Sequence, residues 1–168
     1  MKKKKIPNPK RKMHMAIVAG VIIIGLVIMF NYNLDQAKIS GQSFGDSLAQ
    51  LQNDLKNETA NYDAKIIQYQ NGNITKHDIL QISDTHTSVL NNILSKYNNL
   101  KPPEPFAPSL ELFKLSTQAQ LDSDKLLKEW IQTGDNSTKI RSDQLLEQAF
   151  NYESRALDSF YKAKTNSE

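Results

Sequence analysis

The residues able to do chemistry fall in three places. Gly41-Gln42-Ser43-Phe44-Gly45 has the G-x-S-x-G spacing of a nucleophile elbow. That chemistry sets a serine on a strand-to-helix turn and needs an acid and a histidine later in the chain. His77 and His86 do follow, but in a segment of helical spacing, and no strand precedes Gly41. Ser43 is therefore expected to be a helix-cap serine at a glycine-flanked hinge. His77, Asp78, Asp84 and His86 are metal-ligand types. The two histidines are nine residues apart, which turns them about 180° from each other around a helix. No Glu stands three residues before a His, the spacing that carboxylate di-iron bundles use. The expectation is no catalytic residue, no metal and no cofactor, with His86 a buried or edge polar residue on a helix seam. Gln118, Gln120, Asp122 and Asp124 form the third group, a polar patch in an otherwise apolar segment. They are the candidate lining of a small ligand pocket, with a solvent-facing arrangement as the alternative. The chain has no cysteine, so disulfides, thiolate catalysis and Cys-based metal sites are excluded.

The elements that would position these residues are helical. Phe44, Leu48, Leu51, Leu55, Tyr62, Ile66 and Tyr69 follow a heptad seam interrupted only at Glu58. Ser43 and Asp46 are a candidate cap for this helix, and Gln70-Asn71-Gly72-Asn73 ends it. Asn71-Gly72 is also a hairpin signal, but the segments on both sides keep helical spacing. A second helix starts at Thr75, with Asp78 completing a capping box. It carries Ile79, Ile82, His86, Val89, Ile93, Tyr97 and Leu100, widened by Leu80, Leu90 and Leu94. The Pro-rich stretch 101–108 stops it.

A third helix is expected over about 109–133, with its stripe at Leu110, Phe113, Leu127 and Ile131, and a fourth over about 138–164. Gly134 stops the third, and Asp135 or Ser137 caps the fourth. The fourth is expected to pack through Ile140, Leu145, Leu146, Ala149, Phe150, Tyr152, Ala156, Leu157, Phe160 and Ala163. Four helices joined by short turns and one Pro-rich link imply an all-α fold, an antiparallel four-helix bundle. Leu112, Leu115 and Trp130 lie off the third helix's stripe and are candidate partner-contact residues.

Residues 13–30, MHMAIVAGVIIIGLVIMF, carry no acidic or basic residue other than His14. Eighteen helical residues span about 27 Å, close to a bilayer's hydrocarbon core. Met13, Ile17, Val21, Ile24, Val27 and Phe30 mark this candidate anchor, assigned to 13–32 because Tyr32 suits the interface. Lys2, Lys3, Lys4, Lys5, Lys10, Arg11 and Lys12 precede it, with no acid among residues 1–12. This bias places the N-terminal tail in the cytoplasm and residues 33–168 outside. Beside a membrane span, such a run fixes topology and touches anionic lipid. A cleaved signal would need an A-x-A-like site, and Asp35 before Ala37 fits it poorly. The domain reading is a tail at 1–12, an anchor at 13–32, a stalk at 33–42 and a helical domain at 43–168, with no second span.

The formal charge of +3 hides an asymmetry. Seven of 21 basic residues lie in the tail, which leaves 14 against all 18 acids in the rest, a net of −4. That excludes a basic nucleic-acid-binding surface as the domain's main character. Asn57, Asn73 and Asn136 stand in N-x-S/T sequons on the side read as external, as candidate glycosylation sites.

Pro102, Pro103, Phe106, Thr133, Gly134 and Asp135 set a pattern: a Pro-Pro-x-x-Phe entry, a long helix, a T-G-D turn and a second Leu/Ala/Glu-rich helix. Over about 60 C-terminal residues this resembles membrane-anchored helical surface proteins of prokaryotes, a group that implies no activity. The layout is also similar to the four-helix sensor domains of chemoreceptors, but lacks their return through a second transmembrane helix. The function expected is contact: a non-enzymatic accessory or scaffolding subunit whose partners are the lipid bilayer and another membrane or envelope protein. The alternative is an extracytoplasmic ligand-binding or sensor-like module.

Overall fold

The computed structural model describes the backbone of residues 38–165 and the side chains from Ser43 onward. The basic tail, the candidate anchor and the start of the stalk lie outside the described residues. Among those described there are four long α-helices and no strand: α1 Lys38–Gln70, α2 Lys76–Asn99, α3 Ala107–Thr133 and α4 Asn136–Thr165. None of them is long and apolar enough to cross a membrane.

Helix α1 starts at Lys38, inside the segment read as stalk, so residues 38–42 are helical. Ser43 is then an interior helical residue, and its carbonyl accepts a hydrogen bond from Ser47 Oγ. The expected Ser43 cap is thereby corrected. Because 41–45 is helix throughout, Ser43 is not on the strand-to-helix turn that an elbow requires. The seam holds at Phe44, Leu48, Leu51, Leu55, Tyr62 and Ile66, all buried, and Tyr69 is half-buried. At Gly72 the backbone adopts φ 76°, a conformation glycine accepts without strain. The amides of Asn71, Gly72 and Asn73 then satisfy carbonyls of the last turn. Both sides of Asn71-Gly72 are helix, not hairpin.

Thr75 caps α2 with the full reciprocal box: its hydroxyl accepts from the Asp78 amide, and Asp78 accepts from the Thr75 amide. These bonds hold the Asp78 carboxyl below its ordinary pKa. Helix α2 ends as Leu100 turns extended ahead of Pro102, and Glu104–Phe106 forms a short 3-10 turn. Phe106 is buried with its ring centroid 6.0 Å from that of Phe44 and 4.9 Å from that of Phe160. The Pro-rich link is thus pinned to the start of α1 and the end of α4.

Helix α3 buries its expected stripe of Leu110, Phe113, Leu127 and Ile131. Gly134 ends it in the left-handed region at φ 78°. Asp135 is the cap of α4, accepting from the Ser137 amide at 2.8 Å.

The inward face of α4 departs from expectation. Its buried residues are Thr138, Ser142, Ala149, Glu153, Ala156, Phe160 and Ala163. Ile140 is 59% exposed, and Leu145, Leu146, Phe150, Tyr152 and Leu157 are only half-buried. The cause is close approach to α3. Ser116 Oγ donates to the Ala149 carbonyl, and Ser123 and Ser142 each donate to the other's carbonyl at 2.7 and 2.8 Å. Side chains this short reach a neighbouring backbone only when small residues line the seam.

The helices run antiparallel in sequence. Glu58 meets His86 while Gln52 meets Tyr97, and Ser116 meets Ala149 while Ser123 meets Ser142. Two apolar clusters form the core. One runs from Phe44 to Leu55 on α1 and includes Leu90, Tyr97, Phe113 and Phe160. The other is built on Tyr62, Ile66, Ile79, Leu127 and Ile131.

Candidate functional site

Polar side chains cross the bundle between these clusters. Three helices each contribute two residues three or four apart, which places both on one face: Glu58 and Tyr62 on α1, Ser83 and His86 on α2, Gln120 and Asp124 on α3. His86 is the hub and is 1% exposed. Its Nδ1 lies 2.8 Å from Glu58 Oε1 and its Nε2 lies 3.0 Å from Asp124 Oδ2. An ionised carboxylate only accepts, so an imidazolium, with two N–H groups, is the ring form that satisfies two of them at once. Burial disfavours the charged ring. The hydrogen bonds and charges of Asp124 and Glu58 outweigh it, and the His86 pKa is raised above its ordinary 6.5.

Other side chains of the layer also bond across helices. Tyr62 stacks on the His86 ring, and its hydroxyl bonds Ser83 Oγ at 2.9 Å. Gln120 Nε2 donates to Thr59 Oγ1 at 2.7 Å. A cleft of about 460 Å³ lies over this layer between α1 and α2, walled by Asn61, Lys65, Gln81 and Thr85 and reaching Tyr62 and His86.

A second polar layer crosses the first apolar cluster. The Tyr97 hydroxyl accepts from Gln52 Nε2 at 2.7 Å and pairs with Thr117. Its pKa is raised, chiefly by burial. Glu153 is buried nearby on α4, and burial pushes its carboxyl up to about 7. Among the described residues no side-chain hydrogen bond reaches Glu153.

The sequence-read candidates separate in space. Gln120 and Asp124 enter the His86 layer. Gln118 and Asp122 are on the outer side and hydrogen-bond each other, with Lys125 on Asp122. The four residues therefore do not line one pocket, because the helix turns between Gln120 and Asp122. His77 is exposed, Asp78 is spent on its cap, and Asp84 pairs with Lys128, so neither acid joins His86. Leu112 packs half-buried on the first cluster and Trp130 on the second, while Leu115 is 45% exposed. Lys139 Nζ stands 5.9 Å from the Trp130 ring. Asn57, Asn73 and Asn136 are exposed.

Sequence reading missed Gln52 and Glu153 and took Glu58 for a seam defect. The available signal was that Glu58 and His86 interrupt facing seams at the same level of an antiparallel hairpin. For Glu153 it was the spacing Ala149, Glu153, Ala156, Phe160 on one face.

The arrangement raises the proton affinity of a buried imidazole. Both nitrogens of His86 are taken by carboxylates, and the Ser83 hydroxyl is engaged by Tyr62 and the Ile79 carbonyl. The ring is not aimed at a serine or threonine hydroxyl it could activate. Comparison with protein-family models, with curated proteins and with solved structures finds no match to this chain.

Proposed function

We propose that this chain is a single-pass membrane protein whose helical bundle stands on the extracytoplasmic side and acts by contact, as an accessory or scaffolding subunit of a membrane or envelope assembly. The observation that carries this reading is the uncharged run Met15–Phe30 behind seven basic residues and no acid. Among the described residues the exposed large apolar side chains are Ile67, Leu115 and Ile140, which offer a surface for contact. Protease added to intact cells or spheroplasts should degrade the bundle and leave a protected N-terminal fragment. A bundle accessible only after lysis would reverse the orientation.

A second reading, an extracytoplasmic small-ligand or sensor-like module, is favoured by the cleft over His86. A thermal-shift screen of small polar metabolites separates the two readings. A saturable rise in melting temperature that Lys65→Ala or Gln81→Ala abolishes would favour the module.

A further inference from the structure

His86 joins three helices through one ring. Loss of its proton turns one N–H into a lone pair facing a carboxylate at 2.8 or 3.0 Å. It also leaves two partly buried carboxylates, with Glu58 24% and Asp124 12% exposed, without the cation between them.

Packing decides which helix yields. Helices α3 and α4 are locked by the reciprocal Ser123–Ser142 bonds. Helix α2 is tied to α3 by Tyr97 to Thr117, Lys128 to Asp84 and Lys76 to the Gln132 carbonyl. Among the described helices, α1 makes close backbone approach to α2 alone. At this level it is held by Glu58 to His86, Tyr62 to Ser83 and Thr59 to Gln120. The cleft opens along that same α1–α2 boundary.

We propose that Glu58, His86 and Asp124 form a proton-operated latch, closed when His86 is protonated, whose release frees the C-terminal half of α1 from α2 and widens the cleft at Asn61 and Lys65. The raised proton affinity of the ring supports it. The stabilisation is full below the unfolded-state value of 6.5 and is lost as pH rises through the higher folded-state value. The groups facing the ring fit that sign. Helix α1 presents Glu58 and Tyr62, with Lys65 on the cleft wall, and α3 presents Asp124. Lys128 of α3 is occupied by Asp84 of α2. Helix α4 packs on α3 at this level through Ser142, and its own buried acid, Glu153, interacts with the Tyr97 layer.

The test is hydrogen–deuterium exchange on the full chain in detergent micelles at about pH 5.5 and about pH 8, corrected for intrinsic amide rates. Protection of residues 58–70 should fall about ten-fold or more beyond whatever change residues 107–133 show. Glu153→Gln should keep this local loss, and His86→Gln should remove its pH dependence. Glu58→Gln should move the midpoint to lower pH. A wild-type loss equal in all four helices, or one persisting in His86→Gln, would overturn the latch. Should His86→Gln fail to fold, NMR titration of the wild-type His86 ring, identified by its NOE to Tyr62, decides. A midpoint at or below about 6.5 overturns the proposal, and a higher one that coincides with the exchange change upholds it.

Discussion

His86 lies flat on Tyr62, with ring centroids 4.0 Å apart and planes only 8° from parallel. The phenol covers one face of the ring, keeps water from it and gives a cation an electron-rich surface. The same phenol carries its hydroxyl to Ser83. Tyr62 therefore supports the buried charge and the α1–α2 contact together.

Those two contributions separate by substitution. Tyr62→Phe keeps the stack and loses the hydroxyl bond, an expected cost of about 1 kcal/mol. Tyr62→Ala also removes a buried ring from the second apolar cluster and should cost about 3–5 kcal/mol. Chemical denaturation followed by circular dichroism measures both. Equal costs would mean the stack contributes nothing.

Glu153 gives a pH dependence of its own. Its folded-state pKa of about 7 lies above the ordinary 4.5, so its contribution is fully present below 4.5 and is lost as pH rises through 7. At about pH 8 the buried carboxylate should cost roughly 3 kcal/mol relative to acid conditions, an upper bound if water enters. Glu153→Gln should therefore raise the melting temperature at about pH 8 and change it little at about pH 5. A variant less stable than wild type at pH 8 would show that the carboxylate has a partner worth more than its desolvation.

Much of this fold was legible because its signals are local. The seam from Phe44 to Ile66, the Thr75–Asp78 box and the Gly134 stop each rest on residues within a few positions of one another, and the structure holds each as expected. What escaped depends on distance between helices. The large residues of α4 looked like its core face, yet α3 comes so near that small residues such as Ser142 and Ala149 line the seam between them. Likewise Glu58 and Asp124 have no local reason to point inward. Their partner stands on a third helix, and a single strand of periodicity carries no record of it.

The α3–α4 seam should tolerate no added volume. Ser123 is 2% exposed, and its hydroxyl donates to the Ser142 carbonyl. Ser123→Leu must push the helices apart and break the reciprocal bonds, an expected loss of about 2–4 kcal/mol. Ser123→Ala keeps the spacing and should cost about 1 kcal/mol, since one acceptor loses its donor. If Leu were no worse than Ala in a thermal melt, the approach of α3 to α4 would be looser than these bonds imply.

Trp130 and Leu115 answer the contact question in opposite ways. Trp130 is half-buried on the second apolar cluster, with Lys139 near its ring, so its surface is partly committed to the bundle. Trp130→Ala should cost about 2 kcal/mol, a drop of several degrees in the melt for a domain of this size. Lys139→Ala should cost about 1 kcal/mol or less, since the half-buried Lys139 meets the ring at a distance and pairs with Asp143 at the surface. Leu115 is 45% exposed and sits off the buried stripe of α3. Leu115→Arg should leave stability within about 0.5 kcal/mol of wild type. If the bundle works by contact through this face, the same change should weaken cross-linking of the full chain to its neighbour in native membranes. Unchanged cross-linking, with a melt as stable as wild type, would remove Leu115 from the contact surface and move the search to Ile140, the most exposed large apolar side chain of α4.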